Sequence, residues 1–132
     1  MNVSAGQELP DLVKEPTTQQ LVKYAGASGD FYQIHYDQDF ARSTGLPGVI
    51  LHGLLKTAFL GELVTSWLGE EGTLETFEVS YRGLDVPGQS CRSRGVVRSV
   101  ADGRAELDLW TEDPDGNRTT VGKATVRLVA GA

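Results

Sequence analysis

The chain has 132 residues, 39% of them apolar and 23% charged, with one cysteine and a net charge of −6. That length predicts one domain spanning residues 1–132 that needs no disulfide or metal staple, and the lone Cys91 excludes an internal disulfide and a cysteine-rich zinc site. Scattered basic residues in an acidic chain argue against nucleic acid as a partner, and an anionic ligand would need a local basic patch.

The N-terminus, "MNVSAGQELP", lacks a basic start followed by an apolar run, so no signal peptide is predicted. With the lone cysteine, this suits a reducing compartment, and a cytoplasmic location is expected. Residues up to Pro16 read as an arm with a short strand at most. Thr17 and Thr18 can cap the next segment, with Gln20 near the capping-box position. In "QQLVKYAGAS", Leu21, Tyr24 and Ala25 stand at helical spacing, and Gly26 and Gly29 loosen the end. "DQDFARSTG" predicts a short helix that Asp37 or Gln38 starts, with Phe40 and Ala41 inward and Gly45 as the stop.

Val49 to Leu68 is the longest apolar-leaning stretch. His52, Lys56 and Glu62 interrupt it, so it is a buried helix rather than a membrane span, and no membrane partner is expected. Leu51, Leu54, Leu55, Ala58, Phe59 and Leu63 trace a wide apolar face. Leu60 and Val64 widen it, leaving Lys56, Thr57, Glu62 and Thr65 as the polar positions. A helix apolar nearly all round is buried from several sides. Gly69 and Gly72 end it.

After Gly72 the period changes to two. Phe77–Tyr81, Arg92–Arg98, Leu107–Leu109 and Ala124–Leu128 predict four strands. "VPGQS", "ADGR" and "DPDGNR" carry turn residues between them. Helices followed by an antiparallel meander predict an α+β fold, a curved antiparallel sheet wrapped around the long central helix. One sheet cannot surround a helix, so a second copy or a related subunit is expected to complete the burial.

The chemistry is concentrated in "GDFYQIHYD". Asp30 and His35 stand five positions apart beside Gly29. They suit an acid/base pair, or equally a helix cap and a loop histidine. Nothing near Cys91 suggests a nucleophile. Two histidines and one cysteine could bind a metal only with carboxylates, so neither metal nor cofactor is expected. Arg92, Arg94 and Arg98 share a strand face that reads first as solvated and second as a contact for phosphates or an acidic carrier protein.

The segment from Tyr24 to Trp67 resembles the MaoC-like hydratase/dehydratase family. The family pattern places an aromatic residue before Ser-Gly-Asp, an apolar-His-x-Asp run after Asn-Pro, and His-Gly at the central helix start. Tyr24, Ser28, Gly29, Asp30, Ile34, His35, Asp37, His52 and Gly53 stand in those places. The resemblance implies a hotdog fold, usually dimeric. It implies hydration or dehydration of an enoyl thioester, carried by coenzyme A or an acyl carrier protein, within fatty-acid or steroid side-chain metabolism. It makes Asp30 and His35 the catalytic pair and the Gly53 N–H an oxyanion donor. Tyr32-Gln33 replaces the usual Asn-Pro, and Gly61 lies near a place where many members carry a serine.

A carboxylate and an imidazole sharing one water can do the proton work of such a reaction, and a free N–H at a helix start suits the oxyanion. His52 reads first as a structural residue at a buried helix start. Tyr32 and Val49 are candidate pocket-wall residues, and Asp37 reads as a cap. Two other readings stand beside hydration. One is a non-catalytic or co-catalytic hotdog subunit of a heteromeric dehydratase, and the other is a hotdog thioesterase using Glu62.

Overall fold

Capping side chains begin the first two helices where the sequence predicts them. The Thr17 hydroxyl accepts the Gln20 N–H at 3.1 Å, and the Asp37 carboxylate accepts the Phe40 N–H at 3.0 Å. Each satisfies a donor that the first helical turn leaves unpaired. A computed structural model describes residues 1–129. In chain order it holds β1 (Leu12–Lys14), α1 (Thr18–Ser28), a 3₁₀ turn (Gln33–His35), α2 (Gln38–Ser43), α3 (Gly53–Leu68), β2 (Gly72–Tyr81), β3 (Cys91–Ala101), β4 (Arg104–Glu112) and β5 (Arg118–Leu128).

The five strands form one antiparallel sheet in the order β1-β3-β4-β5-β2, and α3 packs against it. This is the α+β hotdog arrangement that the resemblance implies. The predicted meander holds for β3, β4 and β5. Asp102 and Gly103 turn the first hairpin with φ of 54° and 74°, as a tight two-residue turn requires. Asp113 holds the second by accepting the Asp115 and Asn117 N–H groups at 3.0 and 2.9 Å.

The meander does not extend to β2, which pairs with β5 rather than β3. The segment from 82 to 90, which holds Pro87-Gly88, is therefore a crossover and not a hairpin. Its backbone is tied to distant parts of the chain. Arg82 and Gly83 both donate to the Thr119 carbonyl, Gly88 donates to Pro16, and the Asp85 carbonyl accepts from Leu51.

The two halves of α3 serve different cores. Leu60, Leu63, Val64 and Leu68 pack on Val97, Leu107, Leu109, Ala124 and Val126 from the inner face of the sheet. Leu55 and Phe59 pack with Leu21 of α1, Ala41 of α2, Val49, Leu51 and Cys91. Two positions differ from the pattern. Leu54 and Ala58 belong to the predicted apolar face but lie exposed, so one side of the helix is open in this chain. Lys56, a predicted polar position, is buried at 3% exposure.

Candidate active site

Short-range bonds shape the loop between α1 and α2. Gly29 ends α1 in the left-handed region at φ 79°, and the Ser28 hydroxyl accepts the Asp30 N–H at 3.1 Å. The Tyr32 carbonyl then accepts His35 N–H at 3.1 Å, and the Gln33 carbonyl accepts Asp37 N–H at 2.8 Å. Backbone bonds thus make the turn at Tyr32-Gln33, where Asn-Pro is usual. Tyr32 itself is half-exposed, with its ring edge-on to His35 and Phe40.

This loop brings Asp30 and His35 together. Asp30 Oδ2 lies 3.7 Å from His35 Nε2, beyond a direct hydrogen bond. His35 Nδ1 lies 2.8 Å from the Ile50 carbonyl oxygen. A carbonyl can only accept, so Nδ1 carries the proton and a neutral His35 presents an Nε2 lone pair towards Asp30.

His52 is buried behind this pair. Its ring stacks on His35 with centroids 3.8 Å apart and planes 18° apart, and the Tyr24 ring meets it edge-on. His52 Nε2 lies 3.3 Å from the Asp30 carbonyl, which makes it the donor and leaves Nδ1 as a buried lone pair without a partner among the described residues. Burial, and next the adjacent His35, push the His52 pKa down and favour the neutral ring. Asp30, His35 and His52 offer ligand atoms within 4.8 Å of one another. The two imidazoles are stacked, with planes only 18° apart, whereas a shared metal at the ~2.0 Å zinc–nitrogen distance would have to lie near both ring planes.

Gly53 is the first residue of α3, where the N–H has no intrahelical acceptor. A Cβ there would come within 2.8 Å of Tyr81 Cζ, so the glycine lets the Tyr81 ring lie against the helix start. The Tyr81 hydroxyl is 2.9 Å from Thr57 Oγ1, one turn along. Asp30, His35, Gly53, Leu54, Lys56 and Tyr81 help line one cavity of about 390 Å³.

Other candidates fall elsewhere. Val49 packs in the core beneath α3 and does not line this cavity. Asp37 caps α2. Glu62 is exposed and paired with Lys14 at 2.9 Å. Gly61 does not line the cavity either, and a side chain there would meet Phe77. Cys91 is buried, and desolvation pushes its thiol up to about 12. Arg92 and Arg94 pair with Asp11, Arg94 also with Glu112, and Arg98 with Asp108. A larger hollow of about 500 Å³ lies on the outer face of the sheet beside Arg98, Trp110 and Arg118, and neither Asp30 nor His35 lines it.

Sequence reading did not place Lys56, Tyr81 and Leu84 at this cavity. The available signal was Lys56, a cation in the first turns of an otherwise apolar helix.

A MaoC like domain model matches residues 4–114. The fatty acid synthase beta subunit TOXC of Cochliobolus carbonum is 31% identical over 106 residues, which cover 78% of this chain and 5% of that protein. A fatty acid synthase subunit beta of Aspergillus oryzae is 36% identical over 89 residues, covering 65% of this chain and 4% of that one. The chain thus matches only a small fraction of these long relatives. An (R)-hydratase from A. caviae involved in PHA biosynthesis shares the fold with a TM-score of 0.89, at 23% identity, over 96% of this chain and 98% of its own. The ChsH1-ChsH2 complex from Mycobacterium tuberculosis contains a similar chain, with a TM-score of 0.88 at 22% identity over 98% of this chain and 100% of that one. With the fold and the family model in agreement, the chain belongs to the MaoC-like family of hydratases and dehydratases.

Proposed function

We propose that the chain hydrates 2-enoyl thioesters to 3-hydroxyacyl thioesters and runs the reverse dehydration, on coenzyme A or an acyl carrier protein. The observation that carries this reading is the 3.7 Å gap between Asp30 Oδ2 and His35 Nε2, with His35 Nδ1 committed to Ile50. Both groups remain free to hold one water. The fatty acid synthase relatives support a fatty acyl chain on the thioester.

In hydration the water oxygen attacks the β carbon while His35 Nε2 takes one of its protons. Asp30 accepts a hydrogen bond from the other O–H, which stays on the oxygen, and so orients the water. The double-bond electrons move onto the thioester oxygen, which the Gly53 N–H receives at the start of α3, where the helix dipole favours negative charge. The imidazolium returns its proton to the α carbon as those electrons collapse back. Water has been added across the double bond, and both side chains end as they began. Dehydration is the same path reversed.

The test is incubation with crotonyl-CoA and longer enoyl-CoA thioesters, following the conjugated double bond by absorbance. Hydration is expected, with a loss of at least ~10²-fold in Asp30→Asn. Unchanged hydration in that variant would sink the reading. Release of free thiol would instead indicate a thioesterase, a reading weakened by the Lys14–Glu62 ion pair.

A second reading has its own observation. Leu54, Tyr81 and Leu84 line the cavity yet are 55%, 49% and 49% exposed. Such an open apolar wall supports a second hotdog subunit, identical or related, that closes the cavity. Hydration that emerges only with a co-expressed partner would make the chain one part of a heteromeric dehydratase.

A further inference from the structure

The acid/base scheme leaves one buried ion pair unused. Lys56 of α3 and Asp85 of the 82–90 crossover are 3% and 6% exposed, with Lys56 Nζ 3.1 Å from Asp85 Oδ2. Lys56 Nζ also donates to the Gly83 carbonyl at 3.0 Å. Replacing a buried ion pair by packed apolar side chains is often neutral or stabilising, so folding alone does not call for this one. What the pair holds is the backbone of residues 83–85 against the start of α3.

That backbone leads to His35. The Asp85 carbonyl accepts the Leu51 N–H at 2.9 Å. The Leu51 N–H belongs to the same peptide unit as the Ile50 carbonyl, which accepts His35 Nδ1–H at 2.8 Å. A peptide unit is planar, so its N–H and C=O turn together. The Asp85 carbonyl therefore sets the direction of the acceptor that His35 uses, and hydrogen bonds linked in such a chain also polarise one another. Asp85 grips residues 51–56 twice, by its carbonyl at Leu51 and by its carboxylate at Lys56, with His52 and Gly53 between the two grips.

We propose that the Lys56–Asp85 pair positions His35 for proton transfer, acting through the Ile50–Leu51 peptide. The ion pair fixes the Asp85 carbonyl, and that carbonyl fixes the tilt of the peptide. The peptide in turn holds the His35 tautomer that keeps an Nε2 lone pair towards Asp30. Lys56 and Asp85 are positioning residues, because neither exchanges a proton in the reaction. This deepens the proposed function, on which it rests for the role of His35.

The test compares the unaltered chain with Lys56→Met/Asp85→Leu, which removes both charges together and leaves neither buried alone. Lys56→Gln/Asp85→Asn, a milder change that also removes both charges, is read in the same way and replaces the first variant if that one does not fold. Two readouts are taken on folded protein. Nitrogen NMR of ¹⁵N-histidine-labelled chains at pH 8 reports which ring nitrogen carries the proton. One Nδ1–H ring, His35, and one Nε2–H ring, His52, are expected in the unaltered chain, and His35 is expected to become a mixture of tautomers in the variant. Crotonyl-CoA hydration is expected to lose at least ~10-fold in kcat with KM little changed. A variant that melts lower but keeps the Nδ1–H tautomer and kcat would make the pair purely structural and overturn the proposal. An unshifted tautomer beside active hydration in the unaltered chain overturns it too, and leaves the catalytic reading standing. A shifted tautomer with no hydration by either chain sinks the catalytic reading and keeps the positioning of His35.

Discussion

The imidazoles of His35 and His52 lie face to face, 3.8 Å apart, and each donates a ring N–H to a backbone carbonyl. His35 bonds to Ile50 at the approach to α3, and His52 reaches back from the start of α3 to the carbonyl of Asp30. The two rings therefore lock the loop that carries Asp30 and His35, the proposed acid/base pair, onto the helix start that carries Gly53.

Substitutions at His52 can separate the stack from the bond. His52→Phe keeps a ring against His35 and deletes the donor, whereas His52→Gln keeps a donor and deletes the ring. Both are expected to lower kcat for enoyl thioester hydration by up to ~10²-fold, the cost of about 1 Å of misplacement, with KM little changed. Steady-state kinetics of the two variants check this. A change confined to KM would place His52 against substrate.

His52 also predicts a pH dependence of stability. Its pKa is lowered in the folded chain, so the unfolded chain binds the extra proton first as pH falls. The stability this contributes is fully present above the ordinary histidine value of about 6.5 and is lost as pH drops from there through the folded value. The depressed carboxylates Glu75, Glu112 and Asp113 titrate below their ordinary range and lie outside this window. Thermal melts from pH 7.5 to 5.5 are expected to show a falling Tm, with a smaller fall in His52→Gln.

Gly53 is required by Tyr81. In Gly53→Ala the new methyl would lie 2.8 Å from Tyr81 Cζ, and the half-exposed ring must swing away from Thr57. The expected cost is about 1 kcal/mol, the net worth of one hydrogen bond. The same substitution made in Tyr81→Phe, where that bond is already absent, is expected to cost less. Urea denaturation of the four chains closes the cycle.

Cys91 is expected to be inert in the folded chain. Its thiol is buried and held near pKa 12, so the reactive thiolate is scarce at pH 8. Labelling with a thiol reagent at pH 8 is expected to be slow in buffer and complete in denaturant. Rapid labelling without unfolding would contradict the burial.

The candidate site was legible in the sequence to the extent that its parts are local. Asp30 and His35 belong to one loop, and the bonds that orient them run between neighbours such as Ser28 to Asp30 and Tyr32 to His35. The Thr17 and Asp37 caps act over three residues, and the apolar period of α3 repeats every turn. Val49, a candidate pocket-wall residue in the sequence, packs in the core cluster beside Leu51 and Leu55; periodicity shows that a residue is buried but not against what.

The sequence by itself determined the helices and their caps, the strands of the sheet, and the spacing of Asp30, His35, His52 and Gly53. Each of these depends on side-chain chemistry within a turn, a loop or a strand. Only the tertiary structure decided that β2 lies beside β5, that the crossover carries Asp85 to Lys56, and that Leu54 stays open. Strand partners and the burial of a charge are set by segments far apart in the chain. The Lys56 ammonium meets the carbonyl of Gly83, 27 residues away, and no local pattern encodes that meeting.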